Sequence, residues 1–250
     1  MSHIVRRGST GTMPPKWRVL FNYAACDVAD ALLKLKVPGA GFLPDITPAP
    51  TTTRARRPEQ PTKVIAPAST FLMAPKASPS FPNPVALSSN LPASNIEQDS
   101  GPYADHTERG TIVVISQPQG QACAVVGGIM AVRMAHLGAE GVVVDGRVRD
   151  LVALSETELP IWARGTSIIG AGAETKLHAK NVPIQVGETT IEPGDIIMID
   201  PLENGVVAIP QDKLREVLEL LPKLTSEDAK VIDDVEEGVS VKDAFERHRT

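Results

Sequence analysis

A chain of 250 residues with 42% hydrophobic content can bury one sizeable core, which favours a single domain with appendages over two domains. Its net charge of -5 offers no general attraction to nucleic acid, and its two cysteines lack the CxxC spacing of a zinc site or redox motif. No apolar run approaches a membrane span and the N-terminus lacks the apolar core of a secretory signal, so a cytoplasmic protein with no membrane partner is expected.

Residues 1–15 are polar and punctuated by Gly and Pro, which predicts a disordered start ahead of one domain over 16–250. Cys26 and Cys123 read as buried small hydrophobes. Val19, Leu20, Tyr23, Ala24, Val28, Ala31, Leu32 and Leu35 recur at helical spacing until Pro38-Gly39 stops the run. Lys63 to Leu72 reads as a strand interrupted by Pro67, hence near an edge or a bulge. From about 77 to 100 the chain is dense in Pro, Ser and Asn, which favours a loop insertion. Thr111 to Ser116 is a strand, and the polar loop Gln117–Gln121 after it can face a site.

Gly127 to Gly138 reads as a helix opened by a glycine pair and closed by a glycine, with Met130, Met134 and Leu137 on its apolar face. Free amides at such a helix start, beside glycines that admit a ligand to the backbone, can hold a carboxylate or phosphate. Val142-Val143-Val144 then suits a strand covered on both faces, Gly146 a sharp turn, and Arg149-Asp150 the start of the next helix. Taken alone, Arg149-Asp150 reads equally well as a solvated helix start in which the two side chains pair.

Short strands are predicted at 161–163, 166–169, 184–186, 189–191, 196–199 and 206–209, followed by helical stripes at Leu214–Leu221 and Val231–Val235 and a cap at Ser240. His136 reads as a surface or packing residue, His178 as part of a loop, and Asp195 and Asp200 as turn carboxylates. Asp145 is expected to bond the turn that follows it.

The run GGIMAVRMAHLGAEGVVVDGRVRD, from Gly127 to Asp150, resembles the signature of the family that includes 4-hydroxy-4-methyl-2-oxoglutarate aldolase and the regulator of ribonuclease activity A. Asp27–Leu32, Asn181–Ile184, Pro193–Asp195 and a fungal-type tail at Gly238–Phe245 extend the resemblance over most of the chain. It implies an α/β protein, an α-β-β-α sandwich of the swivelling phosphohistidine-domain type with C-terminal helices, assembled as homotrimers or hexamers with sites at subunit boundaries.

The resemblance further implies a lyase dependent on Mg2+ or Mn2+ that acts on a small 2-oxo acid, by aldol cleavage or oxaloacetate decarboxylation, through a metal-bound pyruvate enolate. By motif position, Asp150 would be the metal ligand and Arg149 the contact to the substrate's oxo oxygen. Gly127 and the amides of Gly128, Ile129 and Met130 would receive its carboxylate. A fixed guanidinium and a hard cation suit this chemistry because charge develops on the oxo oxygen as the carbon-carbon bond breaks.

Aldolase members carry an acidic residue where this chain has Gly128, a departure that favours reactions making less demand on a base. A further family carboxylate, supplied by a neighbouring subunit, falls at Glu227 or Asp228. Two alternatives keep the fold: a protein-binding regulator without catalysis, and recruitment of the metal site into a specialised biosynthetic pathway.

Overall fold

The computed structural model describes residues 15–49, 62–82, 85–86, 88, 90–97 and 100–249. The stretch expected to be disordered lies outside these residues, apart from Pro15. A 3-10 turn at Lys16–Asn22 leads into α1 (Ala25–Lys34), and β1 (Thr47–Pro48) precedes the long β2 (Val64–Pro75). Then come β3 (Ile112–Ser116), α2 (Gly128–Leu137), β4 (Gly141–Val148), α3 (Leu151–Glu156) and β5 (Ile161–Thr166). After β6 (Thr175–Lys180), β7 (Ile184–Val186) and β8 (Thr189–Ile191) form a hairpin. The chain ends in β9 (Ile196–Asp200), β10 (Gly205–Ile209), α4 (Leu214–Glu236) and α5 (Val241–His248).

The main sheet runs β1-β5-β4-β3-β2-β9-β10, with β6 beside the second half of β2. Strands β2 to β5 pair in parallel, and β1, β6, β9 and β10 join antiparallel. β2 is therefore central, so its proline marks no edge, and the bulge in β2 lies further on, between Leu72 and Met73. Pro67 is the last residue paired to β9 and stands just before the β3 ladder begins at Ala68, a changeover where a missing N–H is tolerated. Leu43 N donates to Val206 O at 3.0 Å while β1 pairs with β5, so the segment between them curls the sheet towards a barrel.

The layers follow from which side chains each strand must hide. Val113, Ile115, Val142 and Val144 point into one core with Phe71, Ala131, Met134 and Leu154, beneath α2 and α3. Ile112, Val114 and Val143 point into a second core with Ile197, Ile199, Val206 and the β7–β8 hairpin. α1 and α4 cover the far side, where Val28, Leu32, Val217 and Leu221 meet Ile196, Met198 and Ile209. An α-β-β-α arrangement results, as expected for strands without a solvent face.

Five local readings change. The strands read at 161–163 and 166–169 are replaced by one, β5, which ends at Thr166. β6, read as a loop around His178, is a strand whose outer edge is covered by the Pro-rich insertion: Asn95 Nδ2 donates to Lys180 O at 2.8 Å, and Asn95 Oδ1 accepts from Lys180 N at 3.0 Å. The two tail stripes belong to one 23-residue helix, α4, which continues through Pro222. Gly146 makes no turn, since β4 runs on to Val148 through a bulge between Val144 and Arg147. Cys26 is exposed, beside Glu203.

Phe71 is fully buried and meets Tyr103 edge-on, with ring centroids 5.9 Å apart. Phe71→Ala is expected to cost about 3–5 kcal/mol, read as a lower midpoint in denaturant unfolding.

Candidate active site at the start of α2

Arg149 and Asp150 stand where β4 ends and α3 begins. Asp150 takes the left-handed conformation, with φ of 61°, as the residue preceding α3. That turn leaves its own helix uncapped and swings the carboxylate to the start of α2, where Oδ2 accepts from Gly128 N at 3.1 Å. The Arg149 Nε lies 3.6 Å from the same oxygen. Both side chains are roughly half exposed, so this ion pair adds little stability and both groups remain accessible.

Two glycines make room for the pair. A Cβ on Gly127 would stand 2.7 Å from Asp150 Oδ2 and 3.2 Å from Arg149 Nε, and one on Gly170 would stand 3.1 Å from Arg149 Nη1. The guanidinium thus fills a slot that any larger residue at either position would close. Gly170 was not singled out from the sequence, although the small-residue run Gly170-Ala171-Gly172 after β5 is its signal.

The first i→i−4 bond of α2 is Ala131 N to Gly127 O at 3.0 Å, so the amides of Ile129 and Met130 have no acceptor within the helix. As donors without an intrahelical acceptor, they have the chemistry of an anion-binding helix start. The Gly128 amide, expected to receive a ligand carboxylate, is instead taken by Asp150. No carboxylate occupies position 128, and a Cβ there would stand 2.7 Å from Ala153 Cβ on α3. The close approach of the two helices thus depends on this glycine.

Glu227 and Asp228 lie on α4, in the opposite layer, and within one chain they do not join Asp150. Asp228 is bound by Arg249 Nε at 3.1 Å. Glu227 is buried, with Lys223 Nζ 3.5 Å from Oε1 and, among the described residues, no partner for Oε2. Asp145, expected to bond the following turn, is buried and instead pairs with the half-buried Arg164. Asp195 is a turn carboxylate, accepting from Glu192 N at 2.8 Å. Asp200 does more: it bonds Ala25 N at the start of α1 and pairs with Lys63 at 3.1 Å.

Among the described residues no group of three or more His, Cys, Asp and Glu side chains could hold a metal ion. Asp150 alone still fits a hard cation that keeps most of its waters, because such an ion takes one or two carboxylates and no soft ligand. Its Oδ1 makes no hydrogen bond among the described residues.

Residues 25–208 match the model of the family described as "RraA-like: Aldolase/RraA". The chain belongs to the RraA-like family. A Halalkalibacterium halodurans protein named "Putative 4-hydroxy-4-methyl-2-oxoglutarate aldolase" is 36% identical over 117 residues, 46% of this chain and 54% of that protein. Protein DlpA of Legionella pneumophila is 29% identical over 209 residues, 83% of this chain and 29% of DlpA. The matches thus span about half or less of the length of these curated relatives. Streptomyces coelicolor RraAS2, described as an unusual member of the RNase ES inhibitor RraA protein family, superposes with a TM-score of 0.63 at 21% identity, covering 92% of this chain and all (100%) of that one. A Pseudomonas syringae protein superposes with a TM-score of 0.66 at 23% identity, covering 93% of this chain and 99% of that one. Both likenesses bear on the RraA-like fold alone. No helix among the described residues is long and apolar enough to cross a membrane.

Two measurements test this packing. Gly128→Glu is expected to cost about 1–3 kcal/mol and Ala153→Gly in the same chain to return much of it, a coupling read by a double-mutant cycle of unfolding free energies. Burial, reinforced by Glu174, pushes the Cys123 thiol up to about 12. At pH 8 it stays protonated, so a thiol reagent is expected to label Cys26 in the folded protein and both cysteines only after unfolding.

Proposed function

We propose that this chain is a divalent-metal-dependent lyase acting on small 2-oxo dicarboxylates, with Asp150 and Arg149 as its indispensable residues. The carrying observation is the meeting, at the free amides of α2, of a half-exposed carboxylate with one unbonded oxygen and a guanidinium held between two glycines. The aldolase names of the relatives support the same class.

Asp150 Oδ1 would hold Mg2+ or Mn2+, which when bound polarises the substrate's 2-oxo group as a Lewis acid. Arg149 directs its guanidinium at the oxo oxygen and opposes the negative charge that builds there as the carbon-carbon bond breaks. Ile129 and Met130 bind the carboxylate through their amides, at the positive end of the α2 dipole. Oxaloacetate decarboxylation is the better supported reaction. It releases carbon dioxide without removing a hydroxyl proton, and α2 opens with a glycine where aldol cleavage would be served by an acid.

The working unit in this reading is a homotrimer or hexamer, in which a neighbouring copy adds a carboxylate to the site. Glu227 and Asp228 are the two candidates for that role. Exposed Ile129, Val132 and Val152 beside the site suit cover by another copy. The same apolar surface and the inhibitor description of the Streptomyces neighbour favour a second reading, a regulator acting by protein contact.

Purified protein with Mg2+ or Mn2+ is expected to release pyruvate from oxaloacetate faster than the metal alone, and to lose this activity to a chelator. Asp150→Ala should lower kcat/KM on the order of 100-fold or more. Full activity of that variant with metal present would overturn the lyase reading. No turnover across a panel of 2-oxo acids, with capture of a ribonuclease, would favour the regulator.

A further inference from the structure

Gly146 points to a device behind the site. Its backbone is not left-handed, yet a Cβ there would stand 2.2 Å from Gln117 Oε1 and 2.7 Å from Gln117 Cβ. The glycine is a slot for one side chain. Gln117 follows the last residue of β3 and is 5% exposed. Its Oε1 accepts from Arg147 N at 2.9 Å, and its Nε2 donates to Cys123 O at 2.8 Å. β3 has ended at this level and β4 is bulged, so the side-chain amide supplies the partner that a continuing strand would have given Arg147.

The loop that Gln117 grips is the one that builds the site. Cys123 is held on its other side by Glu174, whose Oε2 accepts from Cys123 N at 2.7 Å. Beyond it the loop runs along the end of β4: Val125 N donates to Arg147 O at 2.8 Å and Arg149 N to Val126 O at 2.9 Å. The next residue is Gly127, which opens α2. Arg147 lies two residues before Arg149, and Cys123 four before Gly127, so one amide fixes both halves of the site relative to each other.

We propose that Gln117 is a positioning residue that sets Arg149 and Asp150 in register with the amide end of α2. It touches neither substrate nor metal. Removing its amide takes the partner from the part-buried Arg147 N–H and from the buried Cys123 carbonyl, and the loop and the β4 end are then free to shift separately. The kinetic consequence rests on the lyase reading of this site. The structural consequence does not.

Gln117→Met keeps length and bulk but removes the amide's bonds to Arg147, Cys123 and Gln121, Gln117→Glu keeps the acceptor alone, and Gly146→Ala crowds the amide from the opposite side with Gln117 intact. In the full chain, amide hydrogen exchange at Val125, Gly128, Arg147 and Arg149 is expected to rise about tenfold or more in Gln117→Met and Gly146→Ala, with α4 protection unchanged. Gln117→Glu is expected to fall between them and the parent. The kcat for oxaloacetate should fall about 10- to 100-fold with KM changed less than about threefold, since a misaligned guanidinium weakens the transition state more than the ground state.

Parental exchange at those four amides in a folded variant would overturn the proposal, as would raised exchange with unchanged kcat. If Gln117→Met does not fold, Gln117→Glu and Gly146→Ala give the same reading. If the parent turns over no 2-oxo acid, the lyase reading fails, and the exchange data alone uphold or overturn the positioning role.

Discussion

Residues 141–145 of β4 are buried on both faces, and the candidate site depends on that constraint. Val142 and Val144 are buried under the helical layer, and Val143 is buried against the second sheet. Polar residues can enter this strand only where cover runs out or where a specific partner meets them. Asp145 has Arg164, the bulge at Gly146 has the amide of Gln117, and Arg149 and Asp150 lie past the last rung, at the rim. The burial that stabilises the strand also gathers its charged residues at one end, beside a helix start that has amides to spare.

Close approach is the second theme, and glycine is its means. Gly127 and Gly170 wall the Arg149 slot, Gly128 lets α2 meet Ala153 of α3, and Gly146 admits Gln117. None of these four requires a left-handed backbone; each is needed for the volume that a Cβ would fill. The residue that bears backbone strain is Asp150 itself, at φ of 61°. That conformation turns its carboxylate from its own helix to the first amide of the neighbouring one.

Much of this was legible in the chain. The three-valine run announced a doubly covered strand, the glycine pair a helix start, and Pro38-Gly39 the end of α1. β6 was not legible, because Thr175–Lys180 interleaves lysines and a histidine with buried Thr175 and Ala179, and an insertion distant in sequence completes its edge. Gly146 misled because a glycine needed for space and a glycine needed for a turn look alike in one dimension. Asp145 misled because its partner, Arg164, is on the neighbouring strand β5.

The sequence by itself determined which residues could be chemical: hydrophobic periodicity and the Gly127–Asp150 motif are local, and local pattern fixes which segments are buried and which polar groups stand at their ends. Only the tertiary structure decided how those groups meet. The αL turn of Asp150, the seat of Arg149 between Gly127 and Gly170, and the grip of Gln117 on Arg147 and Cys123 join segments far apart along the chain. Hydrogen bonds and Cβ clearances act through space, and no single stretch of sequence carries them.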